Sequence, residues 1–232
     1  LHFKQFFEVS KLLDYNANLV HIWFGLMRLP EATFSTRDGN VIKLSNLLDE
    51  AENRALEIIK SSDRKLDENK QKELAKAIGI GAIKYADLSQ NPQSLVTFTW
   101  EKALSLDGNS APYLQYAYAR ISSVYDKYLE KYGDKLLNNS NIQIDSKIER
   151  RLAIKLTKFS ESVKKATNNY KPNVLTDYLY ELSQLYSSYY QNHPFLKADK
   201  GIRESRIMIC MITAKILKQG LLLIGISTPE RI

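Results

Sequence analysis

Ser35, Thr36, Arg37 and Gly39 lie together in a short polar stretch, TFSTRDGN, in the first fifth of the chain. The two hydroxyls can donate hydrogen bonds, and the arginine carries a permanent, forked cation. The glycine lets the backbone turn tightly. Such a set can cradle a phosphate while negative charge develops on it. A plain polar hairpin turn has the same composition, and neither a phosphate-loop lysine nor a Gly-x-Gly-x-x-Gly pattern accompanies the stretch.

A second candidate stretch, HIWFG, precedes the first one. His21 and Phe24 precede Gly25 and could stack on a purine and hydrogen-bond to it, although a histidine beside apolar residues is more often a packed one. With three histidines and one cysteine, the sequence offers no credible spacing of metal ligands, so we expect no metal site. Cys210 lies in an apolar helical run and is interpreted as a core residue. A single cysteine excludes an internal disulfide and indicates a reducing, cytoplasmic compartment.

A third stretch, APYLQYAYAR, is rich in tyrosine. Tyr113, Tyr116 and Arg120 are spaced at i, i+3 and i+7, which places them on one stripe of a helix, with Gln115 beside it. Tyrosines interleaved with an arginine can stack on unpaired bases and contact phosphate. Alternatively, the tyrosines fill a helical core and their hydroxyls reach its edge. A later stretch raises the same alternatives for Tyr178, Tyr180, Tyr186, Tyr189 and Tyr190.

The charge of the chain is unevenly distributed. Residues 1–110 hold 14 Lys and Arg against 15 Asp and Glu, a net charge of −1, whereas residues 111–232 hold 19 against 11, a net charge of +8. A localised basic excess is typical of a protein that binds a polyanion, although a solvated basic surface is also common. The hydrophobic content of 44% is that of a globular protein, and the apolar runs are too short to cross a bilayer, so we expect no membrane partner.

In the first half of the chain, both strands and helices are predicted around the two candidate stretches HIWFG and TFSTRDGN. The apolar run from Val20 to Met27 predicts a buried strand, and Ser45 is a plausible N-cap for the helix that follows. A further helix is predicted over 70–80. The glycines of Gly79-Ile80-Gly81 then indicate either a close approach of the backbone to a neighbour or a bend.

From Pro112 onward the pattern is helical. A seam of apolar residues at alternating spacings of three and four predicts one helix, formed by Leu114, Ala117, Ile121, Val124 and Tyr128. Further helices are predicted over 145–168, 173–191 and 200–220, after a polar loop at 133–144. The second half is therefore a bundle of at least four helices, with a domain boundary within 92–112.

Taken in order, these stretches resemble the arginyl-tRNA synthetases, which are class I aminoacyl-tRNA synthetases. The resemblance covers nearly the whole chain, and its matching stretches include VHIWFGLM, FSTRDGNVIKLSNLLDEA, AIGIGAIKYADLS and GNSAPYLQYAYARI. It implies a mainly α fold. Residues 1–95 would be the C-terminal part of a Rossmann-type α/β catalytic domain with a helical connector, and residues 96–232 an α-helical bundle that binds the anticodon.

The resemblance also assigns roles to residues. TFSTRDGN falls where class I synthetases carry the KMSKS loop, but it lacks that loop's lysine. Ser35, Thr36 and Arg37 would contact the triphosphate of ATP during catalysis. The remaining nucleotide-binding residues would be His21, Phe24, Gly25, Met27 and Gly39. The expected contacts with tRNA are Tyr113, Gln115, Tyr116, Arg120, Lys215 and Lys218.

The activity implied is that of an arginine–tRNA ligase, which joins arginine to tRNA(Arg) and converts ATP, with Mg²⁺, to AMP and pyrophosphate. The HIGH-type motif and the arginine pocket of the family would precede Leu1. We therefore expect a C-terminal fragment that is inactive alone, from an enzyme that is a monomer. Two alternatives stay open: a helical RNA-binding module without catalytic activity, and a synthetase paralogue that keeps the tRNA contacts but has lost catalysis.

Overall fold

The structure is a computed structural model that describes residues 1–15, 17–25, 43–62, 66–133 and 142–232, together with the backbone of 27–28. The described part is mainly α-helical, as the sequence predicts, and none of its helices is long and apolar enough to span a bilayer. The elements, in chain order, are α1 (His2–Leu12), β1 (Met27–Arg28), α2 (Leu44–Lys60), α3 (Glu68–Leu88), β2 (Val96–Thr97), α4 (Trp100–Ala103), α5 (Ala111–Tyr132), α6 (Lys147–Thr157), α7 (Phe159–Asn168), α8 (Asn173–Asn192) and α9 (Lys200–Leu223).

The two strands form a short parallel pair, with Met27 opposite Val96 and Arg28 opposite Thr97. The N–H of Gly25 donates a hydrogen bond to the carbonyl of Pro92, with 2.6 Å between nitrogen and oxygen. The prediction of a buried strand from Val20 is wrong for residues 20–25, which form no strand. The strand β2 is only two residues long and pairs with residues 27–28. Their apolar side chains are largely exposed.

Helices α2 and α3 pack closely through small residues. Ala51 and Ala55 of α2 are buried, and a Cβ atom at Gly79 of α3 would lie 2.6 Å from the carbonyl carbon and oxygen of Ala51. Of the two outcomes predicted for the Gly79-Ile80-Gly81 stretch, the structure therefore shows the close approach. Helix α3 continues through it to Leu88. The N-cap of α2 is Lys43 rather than Ser45.

Helices α5 to α9 surround one apolar core. The predicted seam of α5 is confirmed, since all five of its residues are buried. Cys210 of α9 is also buried, as predicted, and its burial raises the pKa of the thiol to about 12. The single helix predicted over 145–168 is two helices, α6 and α7, with Lys158 between them. Next to this break, the ring of Phe159 packs against Tyr178, with 5.9 Å between ring centroids. Most of the polar loop predicted at 133–144 lies outside the described residues.

Helix α3 is tied to the bundle by buried polar contacts. The hydroxyl of Tyr85 donates to the side-chain oxygen of Asn109 at 2.6 Å and lies 3.2 Å from the carbonyl oxygen of Thr176 in α8. Burial raises the pKa of Tyr85 far above its ordinary value, so the hydroxyl keeps its proton, and both contacts, in alkaline solution where an exposed tyrosine would ionise. The connection between the two halves is therefore specific and not only apolar.

Ser110 caps the helix that carries the tyrosine-rich stripe. Its buried hydroxyl accepts from the backbone N–H of Tyr113 at 3.2 Å and donates to the carbonyl of Ser105. We expect Ser110→Ala to lower the free energy of unfolding by about 1–2 kcal/mol, measured by urea denaturation. Ser123→Ala, on the exposed side of the same helix, is the control and should change it by less than about 0.5 kcal/mol. Equal effects from the two variants would show that the cap does not stabilise α5.

Candidate nucleic-acid interface

A groove of about 750 Å³ opens between α5, the end of α8 and the segment that follows α9. We call it the α5–α8 groove. The described residues that line it include no Asp or Glu, and its aromatic and cationic members are Tyr116, Arg120, Lys127, Tyr190, His193, Phe195, Lys197 and Arg231. A concave surface that combines cations with aromatic rings suits an unpaired, negatively charged nucleotide chain.

Arg120 is held in the groove by two aromatic rings. Its guanidinium carbon lies 4.8 Å from the ring centroid of Tyr116, one turn earlier on α5, and 5.2 Å from that of Tyr190 on α8. Both distances are within the range of a cation–π interaction. Among the described residues no carboxylate lies within salt-bridge distance of Arg120, so its donors are available for a phosphate or a base edge.

Tyr190 provides an accessible ring beside this arginine. It is 36% exposed, and its ring stacks on that of Phe195 with 5.6 Å between centroids and 28° between planes. Tyr178, Tyr186 and Tyr189 of the same helix are buried in the core. Of the five tyrosines in this stretch, these three fill the core, Tyr180 packs against Tyr113, and Tyr190 faces the groove.

Tyr113 lies on the same side of α5 as Tyr116 and Arg120 but does not line the groove. Its ring packs edge-on against Tyr180, with 5.7 Å between centroids, and its hydroxyl oxygen lies 3.3 Å from that of Ser187. Tyr113 therefore joins α5 to α8 beside the groove, where it is half-buried.

Gln115 is not placed at the surface. Its side chain is fully buried, and its amide nitrogen donates to the carbonyls of Ala77 in α3 and of Ser227. The expected direct contact with tRNA does not fit this position, because the side chain is enclosed by three elements. Lys215 and Lys218 are exposed on α9, but they do not line the groove. Lys218 lies over Tyr118, which is about 200° around α5 from Tyr116.

The candidate ATP-binding residues are described only in part. The stretch with Ser35, Thr36, Arg37 and Gly39 lies outside the described residues, as does the side chain of Met27. The ring of His21 stacks on Phe3 of α1, with 4.0 Å between centroids, whereas the ring of Phe24 is exposed. A Cβ atom at Gly25 would lie 2.1 Å from the carbonyl oxygen of Ser94, so glycine is needed there for packing.

Several groove residues were not identified from the sequence. Lys127 is seven residues after Arg120, so the helical spacing that links Tyr113, Tyr116 and Arg120 could have included it. Phe195, Lys197 and Arg231 come from the turn after α8 and the segment after α9, and no local pattern links them to α5.

Most of the basic excess lies outside the groove. Residues 147–171, which include α6 and α7, hold eight Lys and Arg against two Glu, a net charge of +6. None of these residues lines the groove. Charge of this kind raises the rate at which a polyanion meets the protein, while the groove can supply the specific contacts.

Comparison with known families agrees with this architecture. The family described as DALR anticodon binding domain matches residues 114–232, and the family described as tRNA synthetases class I (R), catalytic domain, matches residues 1–100. The chain therefore belongs to the DALR anticodon binding domain family through its second half, and its first hundred residues carry the class I catalytic match.

Individual relatives confirm the resemblance to arginyl-tRNA synthetases. An arginine–tRNA ligase of Fusobacterium nucleatum subsp. nucleatum is 46% identical over 225 residues, which are 97% of this chain and 39% of that protein. The solved arginyl-tRNA synthetase of Thermus thermophilus superposes with a TM-score of 0.77 at 30% identity, over 89% of this chain and 34% of that one. That of Plasmodium falciparum superposes with a TM-score of 0.78 at 25% identity, over 100% and 39%. The chain spans about two fifths of the length of the curated relatives it matches.

Proposed function

We propose that this chain is the tRNA-binding part of an arginine–tRNA ligase and that the α5–α8 groove receives unpaired bases of the anticodon loop. The observation that carries the proposal is the placement of Arg120 between Tyr116 and Tyr190, in a groove whose described lining holds no acidic residue. Stacking on tyrosine is available to any base, whereas the donors of an arginine can select one by its edge.

The groove and the basic helices have different roles in this proposal. The net charge of +6 in residues 147–171 attracts the RNA backbone and gives affinity that depends on salt but not on base sequence. The groove adds contacts to bases, which differ from one anticodon to another. Selection of tRNA(Arg) therefore depends on the groove, and binding at low salt depends on both.

The proposal extends to ATP through the first hundred residues. The hydroxyls of Ser35 and Thr36 and the guanidinium of Arg37 are chemically suited to hold the triphosphate while arginine is activated, with Mg²⁺ neutralising part of its charge. The support for this role is the match to the class I catalytic family over residues 1–100 and the donor chemistry of the stretch. The anticodon groove would then hold the same tRNA that receives the activated arginine.

The binding of tRNA tests the proposal directly. We expect the 232-residue chain to bind a tRNA(Arg) transcript in a filter assay. Its affinity should fall steeply between about 50 and 200 mM salt, because contacts to the phosphate backbone of RNA weaken as salt is added. A transcript with one anticodon base exchanged should bind about fivefold to 150-fold more weakly, since a wrong base costs about 1–3 kcal/mol. Absence of binding at 50 mM salt, or equal affinity for the two transcripts, would contradict the proposal.

A further inference from the structure

Gln115 occupies a junction of three elements in the described structure. It lies on α5, one residue before Tyr116, and its amide nitrogen is 3.1 Å from the carbonyl oxygen of Ala77 in α3 and 2.8 Å from that of Ser227 after α9. Its own side-chain oxygen is buried and has no hydrogen-bond partner among the described residues. The junction therefore uses the donors of the amide and not its acceptor.

The glycine at position 81 makes room for this amide. A Cβ atom at Gly81 would lie 3.0 Å from the side-chain nitrogen of Gln115 and 3.2 Å from a methyl carbon of Ile226. Ile226 is buried, so α3, α5 and the segment after α9 meet without space between them. Both the amide and the segment approach α3 closely because position 81 carries no side chain.

The segment after α9, residues 224–232, runs from this junction to the groove. At its start, the side-chain nitrogen of Lys84 in α3 donates to the carbonyl oxygen of Gly225 at 2.5 Å. At its end, Arg231 and Ile232 line the α5–α8 groove, and Arg231 lies 3.5 Å from the carboxylate of Asp126 on α5. That ion pair is largely exposed and contributes little to holding the segment in place. Ile232 packs against the apolar cluster between α2 and α3, which is a contact without direction. The polar anchor of the segment is the hydrogen bond from the buried amide of Gln115 to Ser227.

We propose that Gln115 is a positioning residue for the groove: it holds the segment 224–232 against α3 and so places Arg231 at the groove's edge. The inference rests on the proposed function of the groove. An apolar side chain of similar size fills the same volume but leaves the carbonyl of Ser227 without its donor. The segment then loses the hydrogen bond that fixes its course between Ile226 and Ile232, and the cation near its end leaves its place at the groove. Gln115 thereby couples the connector helix to the RNA-binding surface without contacting RNA.

Amide hydrogen exchange tests the placement of the segment without any RNA. The variant is Gln115→Met, and the matched control is Leu114→Met, which puts the same side chain at the adjacent, equally buried position of α5. Far below the melting temperature, exchange of the backbone N–H of Ile226, which donates to the carbonyl of Leu221, should be at least tenfold faster in Gln115→Met and unchanged in the control. Unchanged exchange in Gln115→Met would overturn the inference. If that variant does not fold, Gly81→Ala, which displaces the amide by its new Cβ atom, serves in its place.

A double-mutant cycle with Arg231→Ala tests the link to the groove. In the parent chain and in Leu114→Met, Arg231→Ala should weaken tRNA binding about tenfold, since a cation at the edge of the groove is lost. In Gln115→Met the same change should cost less than twofold, because Arg231 has already left its position. An equal loss in all backgrounds would show that Gln115 is only a core residue. If the parent chain binds no tRNA, the proposed function of the groove fails, and with it the coupling to RNA, while hydrogen exchange still decides whether Gln115 holds the segment.

Discussion

Arg120→Ala is expected to weaken the binding of tRNA(Arg) by about 2–3 kcal/mol, roughly 30- to 150-fold, at constant salt. The guanidinium lies between Tyr116 and Tyr190, and its truncation removes both the forked donor and the cation that holds the two rings together. The free energy of unfolding should change by less than about 1 kcal/mol, since Arg120 is only partly buried and its cation–π contacts line an open groove. Filter binding and urea denaturation of the same preparations measure the two quantities.

Two controls separate the geometry of Arg120 from its charge. Arg120→Lys keeps the charge but loses the planar fork, so it should restore only a small part of the affinity. The double change of Lys164 and Lys165 to Gln removes two exposed charges of α7, outside the groove, and should weaken binding to all tRNAs by the same factor and reduce the salt dependence. If Arg120→Ala weakens the binding of tRNAs with the original and with an exchanged anticodon by the same factor, Arg120 acts only as a charge and does not distinguish bases.

The seam of α5 shows what the sequence predicts well. Its five apolar residues recur at spacings of three and four, and this period alone defines one buried face, whatever the helix packs against. For the same reason α8 begins at the predicted residue and ends one residue beyond its predicted end. The spacing of apolar residues is sufficient to predict a helix and its buried face where one side of that helix is apolar along its whole length.

The tyrosines of α8 show where local period fails. Tyr189 and Tyr190 are neighbours of identical chemistry, and they differ only by about 100° of rotation around the helix axis. That rotation puts Tyr189 in the core and Tyr190 against Arg120. The outcome depends on the position of α5, which the sequence of α8 does not contain.

The burial of Gln115 could not be predicted from the sequence, for a different reason. A glutamine beside a stripe of tyrosine and arginine is expected to face solvent, because a buried amide needs partners. Its partners are backbone carbonyls 38 and 112 residues away along the chain, and backbone carbonyls have no sequence signature. The contribution of Arg231 to the groove has no sequence signature either, since it depends on the path of the segment after α9 past α5.

Gly79 was singled out by the sequence, and it carries the largest expected effect on stability. We expect Gly79→Ala to lower the free energy of unfolding by about 3 kcal/mol, because overpacking outweighs the gain of about 1 kcal/mol in helix propensity. The new Cβ atom would lie 2.6 Å from the carbonyl of Ala51 and 2.8 Å from the backbone nitrogen of Glu52. Backbone atoms cannot turn aside as a side chain can, so α2 and α3 must separate. Thermal denaturation should show a melting temperature lower by about 10 °C.

Gly201→Ala is the matched control for this prediction. Gly201 lies in the first turn of α9, is exposed, and has no atom within 4 Å of its would-be Cβ. The same substitution there should raise the free energy of unfolding by about 0.5–1 kcal/mol, because it only restricts the unfolded chain. Opposite signs at the two positions would isolate the close approach of α2 and α3 from the general effect of glycine in a helix. A stabilising effect at both positions would mean that these helices lie further apart than the described contacts require.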